Sequence, residues 1–188
     1  MLAWAQRQKL ARIDAQTLLL HTLGQALHDR AWLLTHDDHI LSPAQAQGYA
    51  DLCAQRLAHV PVAYLTGHKQ FYGLELAVDA RVLDPRPDTE TLVDWALEVL
   101  QPWHAPRVAD LGTGSGAIAL ALQHQRPDAL VLAVDASPDA LAVAQANARR
   151  LGLPVHFVRS RWLAGVAGPF EAIVSNPPYI RSDDPHLA

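Results

Sequence analysis

From Arg107 to Ser175 the chain alternates short apolar segments with segments of helical pattern, and this alternation limits the folds open to it. Helices are predicted at about 116–124 and from Ser137 to Leu151. Strands that alternate with helices through tight loops form a parallel, doubly wound sheet, so we expect an α/β, Rossmann-like domain. The predicted strands are RVADL (107–111), ALVLAV (129–134), VHFV (155–158) and EAIVS (171–175).

The residues before this region show other patterns. Residues 1–68 have helical periodicity only, with Ser42 and Pro43 as a helix start and with Tyr49 and Cys53 on one apolar stripe. Residues 69–84 have the shorter period of an extended linker or hairpin, and Asp88 is placed to cap the next helix. We therefore expect a small all-α helical bundle at 1–68, a linker at 69–84 and the sheet domain at 85–188.

Composition narrows the class of protein. Half of the residues are apolar and 18% are charged, which is typical of a chain that buries a core. The longest apolar run, 117–122, is far shorter than the roughly 20 residues that a membrane helix needs. Cys53 is the only cysteine, so neither a disulfide framework nor a thiolate metal site is expected. These features predict a soluble, cytoplasmic protein without membrane contact.

The charge distribution bears on the partners. The net charge is −4, and the first 75 residues carry six basic and six acidic side chains. Strong binding to duplex DNA is driven by neutralisation of phosphates, which needs a basic surface. We therefore expect no direct nucleic-acid partner, while a protein substrate stays open.

A glycine-rich segment follows the first predicted strand, where parallel sheets place their ligands. It reads Asp110-Leu-Gly-Thr-Gly-Ser-Gly116, and Asp135 ends the second strand. Glycines let the backbone approach a ligand closely, and a carboxylate at Asp135 can accept hydrogen bonds from both hydroxyls of a ribose. Gly112, Gly114 and Ala117 also satisfy the G-x-G-x-x-G/A pattern of dinucleotide enzymes. The two features predict an adenosine-containing cofactor and leave its identity open.

The segment Ser175-Asn176-Pro177-Pro178-Tyr179 ends the fourth predicted strand at the same edge of the sheet. Consecutive prolines remove backbone donors and stiffen the chain, so that carbonyl groups stand without neighbouring N–H groups. Asn176 adds a side-chain acceptor and Tyr179 a flat ring. This combination suits the capture of a planar NH2 group, with two acceptors for its hydrogens and a ring to stack on it.

With these motifs the chain resembles class I S-adenosylmethionine-dependent methyltransferases, and more narrowly the release factor glutamine methyltransferases (the PrmC/HemK family). The resemblance implies methyl transfer from S-adenosylmethionine to the side-chain amide nitrogen (N5) of the glutamine in the Gly-Gly-Gln motif of peptide chain release factors. The matching segments are AQTLLLHTLG (15–24), PVAYLTG (61–67), FYGLELAV (71–78), VLDPRPDTETLV (82–93), DLGTGSGAIALAL (110–122) and SNPPYI (175–180).

The resemblance also implies a role for individual residues. Asn176, Pro177 and Tyr179 would be catalytic, and together with Pro178 they would bind the target amide. The helical half would recognise the release factor, and the PRPDTE segment (85–90) would border the substrate cleft. No metal is expected, and His36-Asp37-Asp38-His39 is interpreted as a loop between helices. The cofactor would be bound by Asp110, Gly112, Thr113, Gly114, Ser115, Gly116, Asp135, Trp162 and Asn176.

Two departures from the family pattern stand out. Arg161 precedes Trp162 at a position where the family usually has an acid, which would receive the adenine amino group. The family also continues beyond the NPPY strand, so the resemblance leads us to expect an incomplete sheet in a C-terminally truncated chain.

Three other functions would fit part of this sequence pattern. An adenine-N6 DNA methyltransferase also captures a planar NH2 group, but it would need a basic DNA-binding surface. An inactive fragment that only binds the cofactor would show no methyl transfer. A nicotinamide oxidoreductase would have no use for the NPPY segment.

Overall fold

The chain divides into two compact units at Gly67. The computed structural model describes residues 1–177 of the 188, with Met1–Gly67 as one unit and the residues from His68 onward as the other. Residues 69–84, which the sequence pattern indicates as a linker or hairpin, contain a hairpin and are grouped with the second unit. The second unit therefore holds both this hairpin and the parallel sheet.

The first unit is built of α-helices around a core of its own. Tyr49 and Cys53 lie one turn apart on the same helix and are fully buried, and the Tyr49 hydroxyl donates to the Ala15 carbonyl at 3.1 Å. Ser42 and Gln45 form a reciprocal capping box at 2.9 and 3.2 Å, which starts the longest helix of this unit where the sequence predicts it. The helices are α1 (Leu2–Arg7), α2 (Arg12–Thr22), α3 (Arg30–Thr35), α4 (Pro43–Leu57) and α5 (Val62–Thr66).

The second unit begins with an antiparallel hairpin, β1 (His68–Phe71) and β2 (Leu74–Ala77). Its two-residue turn places Tyr72 and Gly73 at φ values of +49° and +78°. A tyrosine is unusual in this conformation, and two acids hold it there. The Tyr72 amide donates to Glu90 Oε1 at 2.7 Å and its hydroxyl donates to Asp94 Oδ1 at 2.6 Å, which raises the pKa of Tyr72 to about 12.

The parallel sheet of the second unit has the order β5-β4-β3-β6 within the described residues. Its strands are β3 (Arg107–Leu111), β4 (Leu130–Asp135), β5 (His156–Arg159) and β6 (Ala172–Ser175). Since β3 pairs with β4 on one side and β6 on the other, the direction of winding changes at β3. The predicted α/β fold with a Rossmann-like parallel sheet is confirmed. Such sheets bind ligands beyond the carboxyl ends of the strands at this change of direction.

The helices α6 (Glu90–Leu100), α7 (Ala117–Gln125) and α8 (Pro138–Leu151) pack against this sheet. Ser137 caps α8 by accepting from the Ala140 amide at 3.2 Å, as the sequence predicts. The prediction that Asp88 caps a helix is wrong, because a short 3-10 turn at Pro87–Thr89 precedes α6 and neither start has a side-chain cap bond. No helix within residues 1–177 has the length and apolar character needed to cross a membrane.

Asn147 on α8 joins three segments of the second unit and is fully buried. Its Oδ1 accepts from the Ala77 amide at 2.7 Å, and its Nδ2 donates to the carbonyls of Ala77 (2.9 Å) and Ser115 (3.0 Å). The Arg150 guanidinium adds a bond to Asn147 Oδ1 at 3.3 Å and another to the Glu75 carbonyl. The end of β2 and the glycine-rich loop are therefore tied to the same helix.

The Asn147→Ala substitution should lower the free energy of unfolding by about 2–4 kcal/mol, because it leaves buried backbone groups without partners. Urea denaturation followed by circular dichroism measures this. Gln145→Ala on the same helix is the control and should change the value by less than about 0.5 kcal/mol. Equal effects of the two substitutions would show that the Asn147 bonds do not stabilise the fold.

Candidate active site

The glycine-rich loop, residues 112–116, continues directly from β3 at the carboxyl edge of the sheet. The amides of Gly112 and Thr113 both donate to the Val134 carbonyl, at 2.8 and 3.0 Å, which keeps the loop beside the end of β4. Gly116 has a φ of +84°, and a Cβ at this position would lie 3.0 Å from Leu120 Cδ1 and 3.2 Å from Ala144 Cβ. A glycine is needed here because α7 begins in close contact with α8.

Asp110, near the end of β3, bonds to this loop and is fully buried. Its Oδ2 accepts from the Thr113 hydroxyl at 2.6 Å and from the Ala119 amide at 3.2 Å. Burial raises the pKa of Asp110 to about 6. The two hydrogen bonds favour the carboxylate and oppose this shift, but burial has the larger effect. Asp110 lines neither of the two cavities described below, and its hydrogen bonds hold the loop against the start of α7.

Asp135 connects the ends of two elements at the same edge. Its Oδ2 accepts from the Gly114 amide at 3.0 Å, and its Oδ1 accepts from the Ser137 amide at 2.9 Å. A carboxylate has about four acceptor positions, so both oxygens keep capacity for a further donor. Asp135 is half-buried and lines a cavity, which makes it available to a ligand.

This cavity has a volume of about 500 Å³, which is within the range of small-molecule sites. Segments that follow every strand of the parallel sheet contribute to its wall. Six of the predicted residues lie in it: Gly112, Gly114, Asp135, Trp162, Asn176 and Pro177. Further wall residues that the sequence analysis did not assign are Arg81, Val82, Leu83, Ala136, Ser137, Ala140, Ser160 and Arg161.

The sequence does not identify residues 81–83 as part of the site, because they belong to no motif with a chemical role. They follow the hairpin and stand just before the proline-rich PRPDTE segment. Only Val82 and Leu83 belong to the matched VLDPRPDTETLV stretch (82–93), and this match is the one signal that points to the site. Ser137 was identified as a helix cap, and its amide is also a partner of Asp135.

A smaller cavity of about 60 Å³ is also lined by the glycine-rich loop. Its wall contains the predicted residues Thr113 and Ser115, and also Pro85, Arg86 and Thr89 of the PRPDTE segment. Leu83, Gly112, Gly114 and Asn176 belong to the walls of both cavities. Asn176 is therefore placed where the two cavities adjoin.

The Asn176 side chain has a defined orientation. Its Nδ2 donates to the Thr89 hydroxyl oxygen at 2.8 Å. No donor within residues 1–177 reaches Asn176 Oδ1, so this oxygen is available as an acceptor. The neighbouring Ser175 hydroxyl donates to the Leu111 carbonyl at 2.7 Å, which holds the end of β6 against β3. The predicted residues Pro178 and Tyr179 lie outside the described residues.

Trp162 and Arg161 form the part of the larger cavity that follows β5. Trp162 has a φ of +54° and 60% of its surface is exposed, so its ring is accessible to a flat ligand. Within the described residues the Arg161 guanidinium has no hydrogen-bond or ion-pair partner. A positively charged residue therefore precedes Trp162 in the cavity wall, at the position where the resemblance leads one to expect an acid.

The histidine-rich segment 36–39 belongs to the first unit. The ring of His36 stacks on Trp32 with centroids 4.2 Å apart, and His39 meets the same ring edge-on at 5.6 Å. No group of three or more His, Cys, Asp or Glu residues in the described part of the chain is placed to hold a metal ion.

Comparison with protein families finds two matches that together span most of the chain. The methyltransferase small domain matches residues 89–187, and the PrmC N-terminal domain matches residues 3–67. The second match covers almost the whole helical unit, and the first covers the parallel sheet and the cavity-lining segments that follow its strands.

Proteins named release factor glutamine methyltransferase are similar over nearly the whole chain. The protein from Xylella fastidiosa (strain Temecula1) is 48% identical over 185 residues, covering 97% of this chain and 66% of that protein. The one from Escherichia coli (strain K12) is 45% identical over 184 residues, covering 97% and 65%. The chain spans about two thirds of the length of these relatives.

Among solved structures, a SAM-dependent methyltransferase from Agrobacterium tumefaciens has a TM-score of 0.51 and 20% sequence identity. The match covers 59% of this chain and 39% of that one. At this identity the likeness bears on the fold alone, and it agrees with the parallel sheet described above.

The buried Asp110 should make stability depend on pH. Its pKa rises from 3.8 in its ordinary state to about 6 in the fold, so the folded chain binds the proton more tightly. Binding of this proton adds about 3 kcal/mol to the free energy of unfolding below about pH 4, and this contribution is lost as the pH rises through about 6. Asp110→Asn lacks this titration.

The measurement is the difference in unfolding free energy between the parent chain and Asp110→Asn from pH 4 to 7.5. The variant should gain relative to the parent as the pH rises. Thr91→Val, at an exposed position that does not titrate, should run parallel to the parent and is the control. If Asp110→Asn also ran parallel, Asp110 would not carry a raised pKa.

Proposed function

Because the chain belongs to the methyltransferase small domain family, we propose that it is an S-adenosylmethionine-dependent methyltransferase whose target is the side-chain amide nitrogen of a glutamine. The sequence-based resemblance to release factor glutamine methyltransferases is confirmed by relatives of 45–48% identity, and it supports the Gly-Gly-Gln motif of release factors as the target. The position of Asn176 between the two cavities carries this proposal.

The larger cavity suits S-adenosylmethionine by its residues. Asp135 offers two acceptor oxygens for ribose hydroxyls, and the exposed ring of Trp162 offers a face for adenine. Gly114 has a φ of +55° and open space where a Cβ would stand, so the backbone can come close to a ligand. When bound there, S-adenosylmethionine supplies an electrophilic methyl carbon on a sulfonium group.

The smaller cavity would admit the target amide. An amide nitrogen is a poor nucleophile because its lone pair is shared with the carbonyl group. Asn176 Oδ1 would accept one of its two hydrogens, and the Pro177 carbonyl would accept the other. Pro178 and Tyr179 complete the motif in the sequence and would form the wall and stacking face.

Orientation supplies most of the expected rate gain. The two acceptors hold the NH2 plane and direct the nitrogen lone pair along one line, which reduces the entropy cost of the reaction. The same oxygens are dipoles that stabilise the positive charge developing on the nitrogen. No basic side chain needs to be placed at the nitrogen, because its proton can leave to water after the transfer.

The proposed target glutamine belongs to a release factor, so the release factor is the proposed partner. Similarity to the PrmC N-terminal domain supports a role of the helical unit in recognising the release factor. The balanced charge of the first 75 residues favours a protein target over the DNA of an adenine-N6 methyltransferase. A cytoplasmic location would match such a partner.

The function is tested in two steps on the 188-residue chain. Calorimetric titration should show saturable binding of S-adenosylmethionine and none of NADH. Transfer of a labelled methyl group should then occur to a release factor and not to its version with the Gly-Gly-Gln glutamine changed to alanine. Binding without transfer would support an inactive fragment, and binding of NADH would overturn the proposal.

The role of Asn176 is tested with Asn176→Ala. Loss of one acceptor at the reacting nitrogen should lower the rate of methyl transfer by about 100-fold or more, while cofactor affinity changes only a few-fold. A variant that transferred the methyl group at the parent rate would exclude Asn176 from the reaction.

Arg161→Asp should tighten S-adenosylmethionine binding by roughly 10-fold, because a carboxylate beside Trp162 can accept from the adenine amino group and a guanidinium cannot. Calorimetry measures the dissociation constant. Arg149→Asp, an equal change of charge at the exposed end of α8, is the control and should leave it unchanged. Unchanged affinity of Arg161→Asp would contradict this role of the position.

A further inference from the structure

Thr89 contacts Asn176 from a distant part of the chain. The two residues are 87 positions apart, and the Thr89 hydroxyl oxygen accepts from Asn176 Nδ2 at 2.8 Å. Both are half-buried and both line the smaller cavity. Thr89 is therefore a neighbour of the target side of the site, although it lies before the sheet in the sequence.

In the structure this contact takes up the donor end of the Asn176 carboxamide and leaves the acceptor end to other partners. A carboxamide has an acceptor end and a donor end, and half a turn about its last bond exchanges them. With Nδ2 held by Thr89, Oδ1 stays free to accept. In the opposite orientation Asn176 would present its NH2 group to the NH2 group of the target, and two donors cannot bond to each other.

Thr89 is itself well anchored. Its amide donates to the Arg86 carbonyl at 3.0 Å within the 3-10 turn Pro87–Thr89. The next residue, Glu90, accepts from the Tyr72 amide of the hairpin at 2.7 Å. Upstream, the Lys69 ammonium lies 3.0 Å from the buried Asp84 carboxylate. Bonds to the hairpin thus fix the segment on both sides of Thr89.

We propose that Thr89 is a positioning residue for methyl transfer, which holds the Asn176 carboxamide with its oxygen toward the target amide. This inference rests on the proposed function, since it assigns the means by which Asn176 is oriented. It predicts an effect on the rate of transfer rather than on binding of the cofactor.

The test compares Thr89→Val, which keeps the shape and removes the acceptor, with Thr89→Ser, which keeps the hydroxyl. Thr89→Val should lower kcat on a release factor by roughly 10- to 100-fold, with the S-adenosylmethionine dissociation constant and KM for the release factor changed by less than about 3-fold. Thr89→Ser should restore most of kcat. The exposed Thr91→Val on α6 is the matched control and should behave as the parent.

A purely structural role of Thr89 would lower stability and kcat and raise KM together, or would leave kcat unchanged, and either result overturns the inference. Equal kcat values for Thr89→Val and Thr89→Ser would do the same.

A second measurement separates this inference from the proposed function. In a ¹⁵N-labelled chain the side-chain NH2 resonances of Asn176 are identified by their absence in Asn176→Ala. The two protons should differ in shift in the parent and in Thr89→Ser, and should approach each other in Thr89→Val. If the parent does not methylate the release factor, the proposed function fails. Unchanged resonances in Thr89→Val instead overturn the role of Thr89.

Discussion

The buried carboxamide of Asn147 is the contact on which the site of the second unit depends. It bonds at once to the end of β2 and to the Ser115 carbonyl in the glycine-rich loop. Residues 81–83, which follow β2 closely, line the larger cavity together with Gly112 and Gly114 of the loop. One side chain thus ties to α8 both the loop and the strand that leads to residues 81–83, although Asn147 does not itself line the cavity.

Two aspartates at the ends of neighbouring strands have different tasks. Asp110 is fully buried, bonds to Thr113 and Ala119 and keeps the loop in shape. Asp135 is half-buried, bonds to two backbone amides and still faces the cavity. Burial explains the difference, since a carboxylate without access to the cavity acts only on its own fold, whereas an accessible one can bind a ligand as well.

The sequence predicted well what depends on local patterns. The strands of the parallel sheet, the Ser42 and Ser137 caps and the position of Asp135 follow from periodicity, capping residues and the rule that sites lie at the carboxyl edge. Contacts between distant segments were not predictable in this way. Nothing near Thr89 or Asn147 in the chain indicates that either side chain bonds to a residue 70 or more positions away. The predicted Asp88 cap failed because Pro87–Thr89 form a 3-10 turn, in which Asp88 is exposed.

The two sides of the candidate site differ in how far apart in the chain their contacting residues are. The glycine-rich loop and Asp135 belong to the continuous segment 107–137, which closes through one short crossover. The side that carries Asn176 requires β6 to pair with β3, where Ser175 bonds to Leu111, 64 residues away in the chain. It also requires Asn176 to bond to Thr89, which is 87 residues away. Contacts between residues that are far apart in the chain cost more loop-closure entropy, so we expect the loop and Asp135 to form their contacts before Asn176 reaches its position beside Thr89.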